Sequence, residues 1–399
     1  MVETLSADFF TDPHVHYRRW REHGPVHRIR FPDGVERWII VGYPEARAAL
    51  ADPRLRKDIV HVDGLVRAKR PAAAASPLSL TLLTHMLNTD PPQHARLRKL
   101  VNKAFAPRRV AALRPRIERI TDELLDALDT GDRVDLLRGF AVPLPITVIC
   151  EVLGVAVDDR DAFRTWTTDL VGVVGREAER ARATAAMAAF LRDLVQAKRS
   201  HPGDDLLSAL TLPAEDGDRL TENELVSMAF LLLIAGHETT VNLIGNGALA
   251  LLRDPDRLRE LSADLSAVPD AVESFLRYDG PVDLATIRYT AEPVRIGDTE
   301  IPTGELVYVS LAAANRDPDR FPHPDRLDLS ADASGHLAFG HGIHFCAGAP
   351  LARLEASIAF TALLKRFPDL RLDIDAADLR WYESTLIRGL IELPVRLRP

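Results

Sequence analysis

A mainly α-helical fold with a smaller β-rich region is predicted by three features of this 399-residue chain. One apolar helical pattern runs unbroken from Thr221 to about Leu252. Shorter segments at Val110–Leu128, Val142–Leu153 and Ala181–Lys198 place apolar residues three and four apart, the period of one helix face. After Tyr278 the pattern changes to short β-branched runs punctuated by Gly and Pro.

Taken in order, the chain begins with a short helix near Val15–His23 and a strand at Arg37–Val41. The helical segments follow. Thr221 and Glu224 have the spacing of a capping box at the start of the longest helix. At about 1.5 Å per residue that helix would run more than ~40 Å, through the middle of the molecule. Strands are expected at Ala285–Arg288, Val294–Ile296, Ile301–Pro302 and Val307–Leu311. A Pro-rich meander at Arg316–Leu329, a helix from about Ala349 to Phe367 and terminal strands complete the order. No repeat and no long Gly/Ser or Pro-rich linker divides it, so one domain over residues 1–399 is expected, with PAAAASP at Pro71–Pro77 as an internal loop.

Composition excludes several classes. A net charge of −8 does not favour nucleic acid. The N-terminus lacks a basic segment followed by an apolar run, and no window reaches the roughly 18 apolar residues of a membrane span. Two cysteines, Cys150 and Cys346, fit a reducing compartment and argue against a disulfide scaffold. A soluble, cytoplasmic, monomeric protein is expected.

Cys150, in ITVICEVL, reads as core. Cys346 lies in FGHGIHFCAG, Phe339–Gly348, where glycines let backbone turn tightly and approach a flat partner. Pro350 then opens a helix whose N-terminus favours a thiolate. Plain burial, zinc binding with His336, His341 and His344, a nucleophile, and the axial ligand of a haem all remain open for it. In LIAGHETTVN, Leu233–Asn242, one Gly and two Thr interrupt the long helix, a composition costly for a helix interior. A zinc-protease H-E-x-x-H fails there, because Val241 stands where the second His belongs. In DPPQHARLRKLV, Asp90 has the form of an N-cap with Pro91 at N1 and Gln93 closing a box. His94 and Arg98, four apart, share one helix face.

The loop fits F-x-x-G-x-H/R-x-C-x-G at every fixed position, and this stretch resembles the haem-binding loop of the cytochrome P450 family. LIAGHETTVN is similar to that family's A/G-G-x-D/E-T-T/S motif, and His94/Arg98 to its H-x-x-x-R pair. Together these motifs span most of the chain in the family's order. The resemblance implies a haem-thiolate monooxygenase fold, with haem b between the long helix and the Cys loop. It implies Cys346 as the iron ligand, Phe339, Gly340 and Gly348 around it, and His94, Arg98, Arg288 and His344 at the propionates. Ala235 and Gly236 would leave room for O2, Thr239 would bond to the bound oxygen, and Glu238 would relay protons. The family's E-x-x-R pattern places Glu at position 274, where this chain has Ser274. Arg277 and Arg326 stand where the pattern wants them, and Glu273, four before Arg277, is expected to take over part of the missing carboxylate's role.

The implied substrate is a lipophilic small molecule, a bacterial secondary metabolite of macrolide type. Its pocket is expected from Leu78–Met86, Leu170–Val173, Leu232–Ala235, Val282–Ala285 and Thr385–Ile387, with Met86, Val171, Leu232, Leu233, Ala235, Val282, Leu284, Thr385 and Leu386 facing it. Electrons would come from a ferredoxin and ferredoxin reductase, docking on a basic ridge of Arg96, Lys99 and Lys103. Two alternatives differ in class. A non-catalytic partner that stabilises another enzyme would fit the altered E-x-x-R pattern, but has no need of Cys346, Glu238 and Thr239. A peroxide-using haem enzyme would not need the acid–Thr pair.

Overall fold

The computed structural model describes residues 2–69, 80–129, 131–160, 162–163, 165–166, 177–214 and 216–398. The PAAAASP loop, the Leu170–Val173 segment with Val171, and the first residues of Leu78–Met86 lie outside them.

The principal helices are α1 (Pro13–Glu22), α2 (Tyr43–Ala51), α3 (Gln93–Ala104), α4 (Arg114–Leu128), α5 (Pro143–Val152), α6 (Glu177–Ser200), α7 (Glu222–Leu252), α8 (Val268–Asp279) and α9 (Ala349–Arg366). Helix α7 is the axis, packed by α5, α6, α8 and α9. Its capping box forms as its sequence requires: Glu224 N–H donates to Thr221 Oγ1 at 3.3 Å, and Thr221 N–H to Glu224 Oε2 at 2.8 Å. By length and composition α7 could cross a membrane, contrary to the sequence expectation; 72% of its most apolar window is buried inside the protein. It is therefore apolar all round because it is a core helix.

The strands are β1 (Glu3–Thr4), β2 (Val26–Arg30), β3 (Glu36–Ile40), β4 (Leu55–Arg56), β5 (Arg133–Asp135), β6 (Arg288–Thr290), β7 (Val294–Ile296), β8 (Thr299–Ile301), β9 (Leu306–Val309), β10 (Arg371–Leu372) and β11 (Pro394–Arg396). One six-stranded sheet runs β1-β2-β3-β9-β6-β4, with Arg288 opposite Val307; β10-β11-β5 and β7-β8 form two smaller sheets.

Four local expectations are corrected. Val110–Leu128 is two helices, Pro107–Ala112 and α4, because Pro115 opens a new first turn. Strand β6 begins at Arg288, so Ala285 lies in irregular chain. Strand β9 stops at Val309, where Ser310 Oγ accepts from Ala313 N–H at 3.0 Å and starts a short helix. Asp90 does not cap α3. Its carboxylate accepts from the N–H groups of Lys57 and Asp58 at 3.0–3.1 Å, Pro92 takes the N-cap position, and Gln93 Nε2 donates to Glu224.

Candidate functional site

Midway along α7 the burial breaks. Ala235 is exposed, and Ile234, Gly236, Glu238 and Thr239 are half-buried, although the helix is enclosed on either side of them. That surface faces a cavity of about 590 Å³. The same cavity is lined by residues of the Ala338–Gly348 segment, Cys346 among them.

The loop takes its shape from residues that only this conformation uses. Gly340 and Gly342 have φ of 73° and 75°, the left-handed region that excludes most side chains. A Cβ on Gly342 would lie 2.9 Å from the Leu50 carbonyl, so the loop rests directly on α2. Cys346 N–H donates to Phe339 O at 2.9 Å. Cys346 is exposed and lines the cavity. Burial pushes the thiol's pKa up, while the Gly348 N–H, the Arg98 charge and the Ala349 N–H work against it. The thiolate is thus partly prepared by the α9 N-terminus and still needs a cation to complete it.

A basic edge closes one side. His94 and His344 lie with ring centroids 4.3 Å apart. Arg288 donates to Leu55 O at 3.2 Å, and its Nε, like His94 Nε2, is buried without a partner. Burial lowers Arg288 to about 10. Burial and then the charges of Lys57 and Arg288 push His344 down to about 2. Arg98 faces the same space. Buried donors without acceptors are costly. A flat macrocycle with two carboxylates, a metal beside Cys346 and an apolar body meets each of these requirements, so the residues fit a haem. Among the described residues no three His, Cys, Asp or Glu side chains converge on a metal site. His336, a zinc candidate in sequence, instead bonds Glu273 at 3.1 Å.

On the far side, Thr239 Oγ1 donates to Ala235 O at 2.6 Å, and Asn242 Nδ2 to the Glu238 carbonyl at 2.7 Å. Gly236 lines the cavity and also packs closely on α5: a Cβ there would lie 3.2 Å from Ile149 Cδ1, a tight contact that the Ile149 side chain would have to relieve.

Met86, Leu232, Ala235, Val282 and Leu386 line the cavity as expected. Leu233, Leu284 and Thr385 do not. Leu233 is turned by one helix position from Leu232 into the core. Leu284 pairs with Ser310 and packs in the cluster around Tyr17. Thr385 contributes its carbonyl to Leu284 N–H at 3.1 Å. Ile387, in the expected Thr385–Ile387 segment, is brought to the wall by its bridge to Val282, and His85, in Leu78–Met86, also lines it. Sequence reasoning missed the polar residue Lys57, which no motif signalled.

The region of Ser274 also differs from expectation. Glu273 does not reach Arg277. Its oxygens accept from Arg353 at 2.6 and 2.8 Å and from His336. Arg353 stands 4.4 Å from the Phe339 ring centre, so this carboxylate braces the Cys loop. Arg277, buried, donates to the carbonyls of Asn315, Pro324 and Arg326, and burial lowers it to about 10. The Arg326 side chain is exposed, and Ser274 Oγ is buried without a partner. The basic ridge is likewise changed. Arg96 pairs with Asp218 and Glu224, and Lys99 with Asp216; the Lys103 side chain lies outside the described residues.

The cytochrome P450 family pattern matches residues 161–372. Cytochrome P450 107B1 of Saccharopolyspora erythraea is 55% identical over 389 residues, covering 97% of this chain and 96% of its own. The 6-deoxyerythronolide B hydroxylase of the same organism is 47% identical over 401 residues, covering 99% of each. The solved structure of the P450 monooxygenase TamI with tirandamycin C superposes with a TM-score of 0.91 at 51% identity, over 99% of this chain and 100% of that one.

Proposed function

Because the chain belongs to the cytochrome P450 family and is a haem-thiolate monooxygenase, we propose that it oxidises a lipophilic polyketide-like metabolite with electrons from a ferredoxin and its reductase. The observation that carries this reading is one cavity bounded by Cys346, the Ala235–Thr239 groove and the basic edge, with an apolar remainder. Relatives named for 6-deoxyerythronolide B and tirandamycin C support the substrate class.

When bound, the haem supplies electron transfer and O2 chemistry, by which one oxygen atom enters a C–H or C=C bond and the other leaves as water. This chain's residues do the rest. Cys346 would hold the haem iron through its sulfur, and the Gly348 and Ala349 N–H groups would temper the thiolate's charge. Arg98, Arg288, His94 and His344 would hold the propionates, and Phe339, Gly340 and Gly348 would line the haem's side of the cavity. Met86, Leu232, Val282 and Leu386 orient the substrate and exclude water. Thr239, whose Oγ1 donates to Ala235 O, would hold a proton at that hydroxyl beside the cavity. Glu238 delivers protons to it from within the same wall. The whole chain acts as one cytoplasmic monooxygenase domain and works as a monomer.

The test is a titration of the holoenzyme with neutral macrolactones, followed by the haem's spin-state absorbance shift and then by product with a ferredoxin and reductase. A shift and a singly oxygenated product are expected. Full turnover with hydrogen peroxide alone, at a rate the reduced ferredoxin does not exceed, would overturn the electron-donor part. A shift confined to small hydrophilic ligands would overturn the substrate part.

A further inference from the structure

Lys57 follows β4 directly and belongs to none of the motifs. It is 3% exposed and lines the cavity together with His94, Arg98, Arg288 and His344. Lysine is almost never buried this far without a partner. The nearest acid explains its position but not its charge. Asp90 accepts from the backbone N–H groups of Lys57 and Asp58, which pins this segment beside the start of α3. The field of Asp90 favours the ammonium, yet burial and the Arg288 charge outweigh it and lower Lys57 well below the ordinary lysine range. His85, also 3% exposed, has an unpartnered Nδ1, and burial and then the Lys57 charge lower it to about 3.

The cavity edge therefore gathers three formal cations, Lys57, Arg98 and Arg288. Among the described residues no carboxylate side chain forms an ion pair with Lys57 or Arg288. Hydrogen bonds to backbone carbonyls satisfy a donor but do not neutralise a charge. Carboxylates presented at the cavity edge by a group from outside the chain would neutralise these charges.

We propose that Lys57 is a carboxylate receptor of the cofactor site, its ammonium pairing with a haem propionate as a third cationic contact beside Arg98 and Arg288. It is a positioning residue: it fixes the cofactor's edge against the β4–α3 corner and touches no reacting atom. The inference rests on the haem reading of the cavity, and its test is separable from that reading. The same ammonium could receive a carboxylate from an anionic substrate, and the arms below distinguish the two sources.

The perturbation is Lys57→Met, which keeps the stem and removes the charge, with Lys57→Arg as the conservative variant. Haem transfer from the holoenzyme to excess apomyoglobin is timed. Loss of a charge-assisted bond predicts roughly 10- to 100-fold faster haem loss from the Met variant, and a rate near wild type for Arg. Reconstitution with haem dimethyl ester, which has no carboxylates, should make wild type and Met variant equal. Should the Met variant take up no haem, its uptake of the dimethyl ester gives the same comparison. Equal loss of native haem, or a defect that persists with the ester, overturns the proposal. Unchanged haem loss together with failure to bind a long-chain fatty acid, while the matching alcohol still shifts the spin state, assigns Lys57 to an anionic substrate and also overturns it. A wild type whose reduced carbon monoxide complex lacks the thiolate spectrum would fault the haem reading instead.

Discussion

Glu273→Gln is the most informative single change outside the cavity. The carboxylate accepts from Arg353 and His336, and Arg353 in turn covers Phe339 at the start of the Cys loop. Burial alone would raise the Glu273 pKa; the hydrogen bonds from Arg353 and then His336 reverse this and lower it from 4.5 to about 2. At about 1.36 kcal/mol per unit such a shift corresponds to roughly 3 kcal/mol. Arg353 is 39% exposed, so solvent screening reduces the expected net effect to about 1–2 kcal/mol. The sign is set by linkage. A depressed carboxylate contributes stability in full above its unfolded pKa of 4.5 and loses it as pH falls toward 2. Urea unfolding of the holoenzyme should show the Gln variant weaker by that amount at pH 7, with the gap narrowing by about half by pH 3. The variant should also release haem faster, because the loop loses its brace. Equal stability at pH 7, or a gap that does not change with pH, would refute the claim that this ion pair supports the loop.

Thr239→Ala should retain haem and substrate binding while raising hydrogen peroxide released per NAD(P)H consumed; unchanged coupling would mean that another group manages the proton. Ser274→Glu places a carboxylate at a buried, unpartnered position one helix turn before Arg277, and should stabilise the fold by about 1–3 kcal/mol in urea unfolding. A loss of stability would show that the three carbonyls already satisfy Arg277 and that no room remains. Lys99→Glu should lower stability slightly, by less than about 1 kcal/mol, through repulsion from Asp216, and should leave the salt dependence of reduction by ferredoxin unchanged. A reduction rate that becomes salt-independent would restore the ridge as a docking surface.

Local signals were legible where the chain satisfies its own groups. Thr221 and Glu224 close their box within one turn, so the 31-residue helix α7 could be placed to within a residue. The Cys loop is similar, because Gly340, Gly342 and Cys346 lie within seven residues and set their own backbone. Reading failed where distant chain competes for a side chain. Asp90 looked like a cap for α3, yet the amides of residues 57 and 58 take its oxygens. Glu273 has helix spacing to Arg277, but its partner Arg353 is 80 residues away. Arg96 and Lys99 looked like an open ridge until the segment before α7 supplied Asp216 and Asp218. Pocket residues failed by one position, as with Leu232 against Leu233, because a helix turns 100° per residue and the apolar pattern of a buried helix does not say which side is empty. Lys57 could not be found from sequence, since a lysine after a two-residue strand carries no signal of burial.

The central claim is that Cys346 is the axial ligand of a haem in this cavity. The direct measurement is the absorbance spectrum of the reduced carbon monoxide complex of the purified wild type and of Cys346→Ala. Wild type should give the long-wavelength Soret band of a thiolate-ligated haem. The variant should lose that band completely, with any haem it retains showing a short-wavelength band, and should have no monooxygenase activity. A Cys346→Ala protein with the wild-type band would contradict the assignment.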